Sequence, residues 1–183
     1  MNTNIISGNK GLANLGNTCY MNAAIQCLSH LLEFHPKNDN FINNLNQADE
    51  LYKTWYNTQI HLWSNLGGNV VVPKKLLRCF MNTCNEKGIC FYNFHQNDTE
   101  EFINIFMDLL HRSIKTSANI SIEGTPNNQL EKLQVKSVNS WSQFFKNDYS
   151  YVIQKFYSQQ LSITSCTNCD YMAINFDPYM VLS

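Results

Sequence analysis

The stretch GLANLGNTCYMNAAIQCL, residues 11–28, is the most informative part of this 183-residue chain. A helix is predicted from Thr18 onward, because apolar residues recur after it at the spacing of one helical face. Thr18 is a good N-cap residue and places Cys19 in the first helical turn. Unpaired backbone N–H groups and the positive end of the helix dipole lie there, and both stabilise a thiolate. Cys19 is therefore a candidate nucleophile.

Gly16 and Asn14, which both precede Cys19, suit the same chemistry. Gly16 allows the backbone to turn tightly and to approach a bound chain closely. Asn14 carries a side-chain amide that can donate to an oxyanion formed at an attacked carbonyl. The alternative is that Cys19 is a small, buried and inert thiol, which is the usual state of a free cysteine. Cys27 lacks a comparable setting and is expected in the core.

A second informative segment is FHQNDTEEF, residues 94–102, which precedes the clearest predicted helix of the chain. Asn97 or Asp98 can cap this helix, and two glutamates in its first turn suit the helix dipole. Asp98 has two interpretations, a plain helix cap or a residue that shapes a cleft. His95 and His111 are expected at the surface or on the flank of the helix. The predicted apolar stripe consists of Phe102, Ile103, Phe106, Leu109, Leu110 and Ile114.

The third segment is CTNC, in which Cys166 and Cys169 have the spacing of half a zinc knuckle. Tetrahedral zinc needs four ligands, so a lone pair of cysteines is weak evidence for a metal. From Tyr149 onward the chain is rich in β-branched and aromatic residues, which predicts strands on both sides of the CTNC turn. We accordingly divide the chain into a helical region, residues 1–148, and a strand-forming region, residues 149–183.

The remaining segments complete an α+β fold class. A helix is predicted over residues 45–66, and short helices are predicted after Pro73 and around Trp141 and Phe145, with a surface loop over residues 116–130.

Composition narrows the range of functions. The hydrophobic content of 44% is sufficient for a packed core. A net charge of -1 argues against nucleic acid or an anionic membrane as the main partner. No segment has the length of a signal peptide or a membrane span. The seven cysteines are odd in number and irregularly spaced, which predicts a reducing, intracellular location in the cytoplasm or nucleus.

The first segment closely resembles the Cys box of the ubiquitin-specific proteases, the papain-like deubiquitinases. In this family the matched cysteine is the nucleophile and the asparagine five residues before it is the oxyanion donor, so the resemblance assigns these roles to Cys19 and Asn14. The matching positions are Gly11, Leu12, Asn14, Gly16, Asn17, Thr18, Cys19, Tyr20, Met21, Asn22, Gln26 and Cys27.

The other two segments match the same family in the same order. Gln96 and Asp98 fall on the Gln-x-Asp triplet of its second box, which implies substrate binding, and Asn97 replaces the more usual Gln. Cys166 and Cys169 fall on the first CxxC of the finger subdomain, which implies ligands of a structural zinc. The implied fold is a helical thumb followed by the start of the fingers, with the palm largely missing.

The resemblance implies hydrolysis of the bond that follows the C-terminus of ubiquitin, without a catalytic cofactor. Ubiquitin or ubiquitinated proteins are then the partners. No histidine of the chain matches the family's Gly-His-Tyr-like motif, so we expect the general base on a downstream segment, for instance a separately encoded C-terminal half. The alternative is a catalytically incomplete ubiquitin-binding module. A zinc- or thiol-dependent scaffold unrelated to ubiquitin is disfavoured by the Cys-box match.

Overall fold

The computed structural model describes residues 8–91 and 96–181. They form two compact units, Met1–Ile114 and Lys115–Ser183. The first unit is mainly helical, and the second unit contains both helices and a β-hairpin. The predicted α+β class is therefore confirmed. The change in composition near residue 148 falls inside the second unit. Within the described residues, no helix is long and apolar enough to cross a membrane.

The described part of the first unit contains five α-helices, two short 3-10 helices and a short parallel strand pair. The pairing joins Gly11 to Val70 and Leu12 to Val71. In chain order the elements are β1 (Gly11–Leu12), α1 (Cys19–Ser29), α2 (Asp39–Asn43), α3 (Glu50–Trp63), β2 (Val70–Val71), α4 (Lys74–Glu86) and α5 (Thr99–Ile114).

Helix α3 is shorter than the predicted 45–66. The Asp49 carboxylate accepts a hydrogen bond from the Tyr52 N–H at 3.0 Å, which caps the helix and fixes its start at Glu50. At the other end Ser64 has an extended backbone, so the helix stops at Trp63. Local backbone and side-chain geometry therefore sets both ends of α3 more tightly than the apolar spacing does.

Aromatic rings fill the core of the first unit. Phe106 of α5 is stacked with Phe102 at 5.4 Å between ring centroids, and Trp55 of α3 meets Phe106 edge-on at the same separation. All three side chains are almost fully buried. The apolar stripe predicted for α5 is thereby confirmed at Phe102 and Phe106, and also at Leu109, Leu110 and Ile114, whereas Ile103 is only half-buried.

Two expectations about individual side chains were wrong. His111 is 4% exposed rather than at the surface, because it follows Met107 by four residues and therefore lies on the buried face of α5. Cys27 is exposed rather than in the core. It lies two residues after Ile25, about 200° around the helix, and Ile25 points into the core.

The second unit packs two helices with an antiparallel hairpin. The strands pair from Ser158 opposite Tyr179 to Ser165 opposite Met172, and the CTNC turn lies between them as predicted. In chain order the elements are α6 (Gln129–Phe145), α7 (Tyr151–Phe156), β3 (Ser158–Ser165) and β4 (Met172–Tyr179).

Two elements of this unit differ from their predictions. Helix α6 is 17 residues long rather than short, because Asn128 caps it by accepting the Glu131 N–H at 2.9 Å. The chain just after residue 149 forms helix α7 rather than a strand. The Ser150 hydroxyl accepts the Ile153 N–H at 3.2 Å and so starts a helix in spite of the β-branched residues that follow.

Candidate active site

The turn into helix α1 has two consecutive residues in the left-handed region. Gly16 has φ of 94° and Asn17 has φ of 49°. Glycine reaches this region without strain and asparagine is among the residues that tolerate it, which explains how so sharp a turn forms here. The tight turn expected at Gly16 is thereby confirmed.

Thr18 occupies the N-cap position of α1, but its side chain does not cap the helix. Its carbonyl accepts the first helical hydrogen bond from the Asn22 N–H at 2.9 Å. Its hydroxyl instead accepts from the Leu15 N–H and donates to Asn14 Oδ1, each at 3.0 Å. The side-chain capping expected of Thr18 was therefore wrong, because the hydroxyl is used within the preceding loop. The N–H groups of the first turn, where Cys19 lies, are left without a hydroxyl partner from Thr18.

The side-chain amide of Asn14 has a defined orientation. Its Oδ1 accepts from the backbone N–H groups of Gly16 at 3.1 Å and of Thr18 at 3.3 Å, besides the Thr18 hydroxyl. A backbone N–H can only donate, so the atom that faces these groups must be the oxygen. The amide nitrogen Nδ2 is consequently the donor that Asn14 has left for a ligand.

Cys19 is the first residue of α1, and its thiol is free and exposed. This contradicts the alternative of a buried thiol. The side chain is thus accessible to a substrate at the helix terminus where the dipole favours negative charge.

The Cys-box helix and the second box are joined by a hydrogen bond. Asn97 Nδ2 donates to the Tyr20 hydroxyl at 3.2 Å, and the Tyr20 ring packs against Phe91 and Phe102. Burial raises the pKa of the Tyr20 hydroxyl; the Asn97 hydrogen bond opposes this, and negative charge at Cys19 adds to it. Tyr20 is therefore a neutral linker beside the candidate nucleophile. Asn97, the position that departs from the family pattern, makes the link.

The second box begins with an exposed Gln96 and continues to Asp98 at the start of α5. Asp98 Oδ1 accepts the N–H groups of Glu100 at 2.7 Å and of Glu101 at 3.0 Å, so Asp98 caps the helix. Binding of a substrate by Gln96 or Asp98 stays a prediction. His95 lies outside the described residues.

Sequence reasoning missed two residues of α1 that contact the loop before it. Asn22 Nδ2 donates to the Ala13 carbonyl at 3.1 Å, and Gln26 Nε2 donates to the Lys10 carbonyl at 2.9 Å. The signal that could have found them is their spacing, since they follow Cys19 by three and seven residues and so share its helical face.

Two of the described histidines surround a tryptophan of α3. The His35 ring meets Trp63 at 4.5 Å between centroids and the His30 ring at 5.5 Å. His30 Nδ1 lies 2.8 Å from the Gln26 carbonyl oxygen. Burial and the charge of Lys37 lower the pKa of His35. These rings belong to a cluster on Trp63.

The CTNC turn forms the tip of the β3–β4 hairpin. The backbone N–H of Asn168 lies 3.4 Å from Cys166 Sγ. This hydrogen bond, followed by those from Cys169, lowers the pKa of the Cys166 thiol. Across residues 8–91 and 96–181, no group of three or more His, Cys, Asp or Glu side chains is placed to hold a metal ion. The two cysteines thus supply half of a tetrahedral zinc site and do not fit the ion by themselves.

The fold resembles that of a protein in two solved structures. Ubp8 in the "SAGA Ubp8/Sgf11/Sus1/Sgf73 DUB module bound to ubiquitin aldehyde" superposes with a TM-score of 0.62 at 17% identity, over 97% of this chain and 35% of that chain. A second structure, of the same module with a point-substituted Ubp8, gives a TM-score of 0.58 at 20% identity, over 97% of this chain and 36% of that chain.

The family profile of ubiquitin carboxyl-terminal hydrolase matches residues 10–178, so this chain belongs to that family. Similar proteins include ubiquitin carboxyl-terminal hydrolase Usp2 of Drosophila melanogaster, 29% identical over 94% of this chain and 18% of the relative. Ubiquitin carboxyl-terminal hydrolase 2 of Homo sapiens is 28% identical over 100% of this chain and 31% of the relative. The chain therefore spans less than a third of the length of these relatives. The resemblance inferred from the three sequence segments is confirmed.

Proposed function

We propose that this chain supplies the nucleophile half of a deubiquitinase, which hydrolyses the peptide or isopeptide bond after the C-terminus of ubiquitin. The orientation of Asn14 carries the proposal. Its oxygen is held by three donors, so its Nδ2 is directed to act as a donor close in sequence to an exposed thiol at a helix N-terminus. A nucleophile together with a positioned oxyanion donor is the minimal equipment for acyl transfer.

In the proposed reaction the Cys19 thiolate attacks the terminal carbonyl carbon of ubiquitin. A carbon–sulfur bond forms, and the electron pair of the carbonyl π bond moves to oxygen, where the Asn14 Nδ2–H donates to it. Collapse of this intermediate expels the amine, which takes a proton from a general acid, and leaves a thioester. Water then hydrolyses the thioester to the free carboxylate of ubiquitin and regenerates the thiol.

Substrate binding is assigned to the second box, which the Tyr20–Asn97 hydrogen bond ties to the nucleophile helix. Asp98 Oδ1 is used by the helix cap, so its second carboxylate oxygen remains to accept from a donor on ubiquitin. Gln96 is exposed beside it and offers an amide to the same bound chain.

The general acid and base are proposed to come from a further segment, such as a separately encoded C-terminal half. His30 and His35 are committed to the Trp63 cluster, which favours a second candidate, a ubiquitin-binding module without catalysis. The proposed reaction needs no metal. A structural zinc at Cys166 and Cys169 requires two further ligands, which we propose to come from the same further segment. Neither nucleic acid nor a membrane is proposed as a partner, and the free thiols suit an intracellular location.

Ubiquitin with an electrophile at its C-terminus tests these candidates. Labelling of Cys19 in the chain, lost in Cys19→Ala but kept in Cys27→Ala, is the expected result. Both cysteines lie on α1 and are exposed, so the second variant controls for ordinary thiol reactivity. Binding of ubiquitin without labelling favours the binding module. If the ubiquitin probe neither binds to the chain nor labels it, both candidates are contradicted.

A further inference from the structure

The backbone segment from Lys10 to Ala13 is bonded on two sides. On one side the N–H groups of Gly11 and Ala13 donate to β2 and the residue before it, to the Asn69 carbonyl at 2.8 Å and the Val71 carbonyl at 2.9 Å. The carbonyl of Lys10, on the opposite side of the strand, and the carbonyl of Ala13, just after the strand ends, accept from two side chains of α1.

Those two side chains belong to Asn22 and Gln26, on the face of α1 that also carries Cys19. Asn22 reaches Ala13, the residue directly before Asn14, with its Nδ2 at 3.1 Å from the carbonyl oxygen. Gln26 binds Lys10 one helical turn further along, at 2.9 Å. The nucleophile helix therefore holds the strand that leads to the oxyanion donor at two points.

The oxygen of the Asn22 amide makes this contact energetically unfavourable in part. Asn22 Oδ1 is buried, and among the described residues it has no hydrogen-bond partner. A buried acceptor without a partner is destabilising, so the contribution of this side chain is its donor alone. Leucine has nearly the same shape without the orphaned oxygen. The substitution therefore removes the hydrogen bond to Ala13 and a stability penalty at the same time.

We infer that Asn22 and Gln26 are positioning residues for the oxyanion donor. They fix the distance between the Asn14 loop and the Cys19 end of α1, and they act on the reaction only through Asn14. This inference rests on the proposed function in its catalytic part, and its structural part stands independently.

Hydrogen exchange measures the structural part without any substrate. In Asn22→Leu and in Gln26→Leu we expect amide exchange over residues 10–18 to be about tenfold faster or more, with residues 50–63 unchanged. Gln59→Leu is the matched control, since it removes a buried side-chain amide from α3 and leaves both hydrogen bonds from α1 to Lys10 and Ala13 in place. Unchanged exchange over residues 10–18 in both α1 variants overturns the inference.

Ubiquitin aldehyde measures the catalytic part. The Cys19 sulfur adds to the aldehyde carbon, the π electron pair goes to oxygen, and the thiol proton ends on that oxygen. We expect Asn22→Leu to weaken binding of the aldehyde about tenfold relative to binding of unmodified ubiquitin, while the rate of Cys19 alkylation by iodoacetamide stays within about twofold. A merely structural role weakens both ubiquitin forms equally and overturns the inference.

A double-mutant cycle shows whether the effect passes through Asn14. In the Asn14→Ala background, Asn22→Leu is expected to have no further effect on the preference for the aldehyde. Additive effects contradict the inference. If the unsubstituted chain has no preference for the aldehyde, the proposed function fails, while hydrogen exchange still decides the structural part. Gln26→Leu supplies the same readouts if Asn22→Leu does not fold.

Discussion

The two units of the chain bury their apolar side chains very differently. In the first unit the aromatic rings of Trp55 in α3 and of Phe102 and Phe106 in α5 are almost fully closed off from water. In the described part of the second unit, the buried apolar side chains are Phe145, Tyr151, Val152 and Ile153. The same unit exposes many large apolar side chains, among them Ile122, Leu130, Phe144, Leu161, Ile163, Tyr171 and Met172.

This difference shows where the stability of the chain lies. Apolar burial is the main favourable term in folding, so the first unit has the means to hold a precise loop such as that of Asn14. The second unit has an exposed hairpin with apolar side chains on strands that lack further neighbours in the described sheet. The candidate active site lies on the stable unit.

The most severe test separates the units between Ile114 and Lys115. Residues 1–114 alone are expected to unfold in one cooperative thermal transition, because they contain most of the buried apolar side chains among the described residues. Residues 115–183 alone are expected to show no such transition, because four buried apolar side chains cannot offset the entropy of ordering the chain. Circular dichroism melts of both fragments measure this. A cooperative melt of the second fragment would show that the second unit is stable by itself.

A matched pair of phenylalanines tests the same contrast within the intact chain. Phe106 is 0% exposed in the first unit and Phe144 is 53% exposed in the second. We expect Phe106→Ala to lower the free energy of unfolding by about 3–5 kcal/mol, because it removes buried contacts and leaves a cavity. Phe144→Ala is expected to change it by less than about 0.5 kcal/mol. Urea unfolding of the two variants gives both values. Equal decreases in the free energy of unfolding would contradict the difference in burial between the two units.

Two thiols, one in each unit, have pKa values shifted in opposite directions. Burial raises the pKa of Cys84 in α4 to about 11, whereas hydrogen bonds from Asn168 and Cys169 lower the pKa of Cys166 at the hairpin tip. Only thiolates are alkylated, so at pH 8 Cys166 is expected to react at least about a hundredfold faster than Cys84. Mass spectrometry after timed iodoacetamide treatment measures the ratio.

The raised pKa of Cys84 also predicts the direction in which stability changes with pH. The folded state holds this proton more tightly than the unfolded state, so the contribution is complete below the unfolded value near 9 and is lost as the pH rises toward 11. The first unit should lose stability over that window, and Cys84→Ala should reduce the loss. An unchanged pH dependence in Cys84→Ala contradicts the assignment.

The smallest expected effect concerns a buried glutamine of the first unit. Gln59 in α3 is 0% exposed, and within residues 8–91 and 96–181 neither polar atom of its amide has a hydrogen-bond partner. Gln59→Leu keeps the volume and removes both orphaned atoms, so it is expected to stabilise the chain by about 1–2 kcal/mol. Thermal and urea unfolding check this. A destabilised variant shows that the amide is satisfied in solution.

The sequence predicted best where a local pattern and tertiary packing agree. Helix α5 has an Asp98 cap and an apolar stripe, and both were predicted from spacing. The prediction of a strand at α7 failed, because a serine hydroxyl starts a helix among residues that favour strands. Whether such a segment becomes helix or strand depends on the surrounding structure. The predicted start of α3 was wrong because the apolar spacing continues upstream of Asp49, which caps the helix.

The site shows the same division. The positions of Cys19 and Asn14 relative to α1 were predicted, because a cap signal, a glycine and a short loop are local features. The hydrogen bond between Tyr20 and Asn97 was not predicted, since it joins residues 77 positions apart. The contacts of Asn22 and Gln26 were missed because sequence spacing shows which face a side chain shares and does not show which backbone carbonyl it reaches.

The parallel pairing of β1 with β2 has a consequence for the order in which the site is made. Cys19 leaves the ribosome soon after β1, whereas Val70 and Val71, which hold the other edge of β1, are synthesised only after α3 is complete. Throughout that interval the growing chain carries a free thiol, and the segment before it lacks the bonds that Gly11 and Ala13 make to the β2 region. The nucleophile is therefore synthesised early and gains its full support late, when the second strand closes the pair.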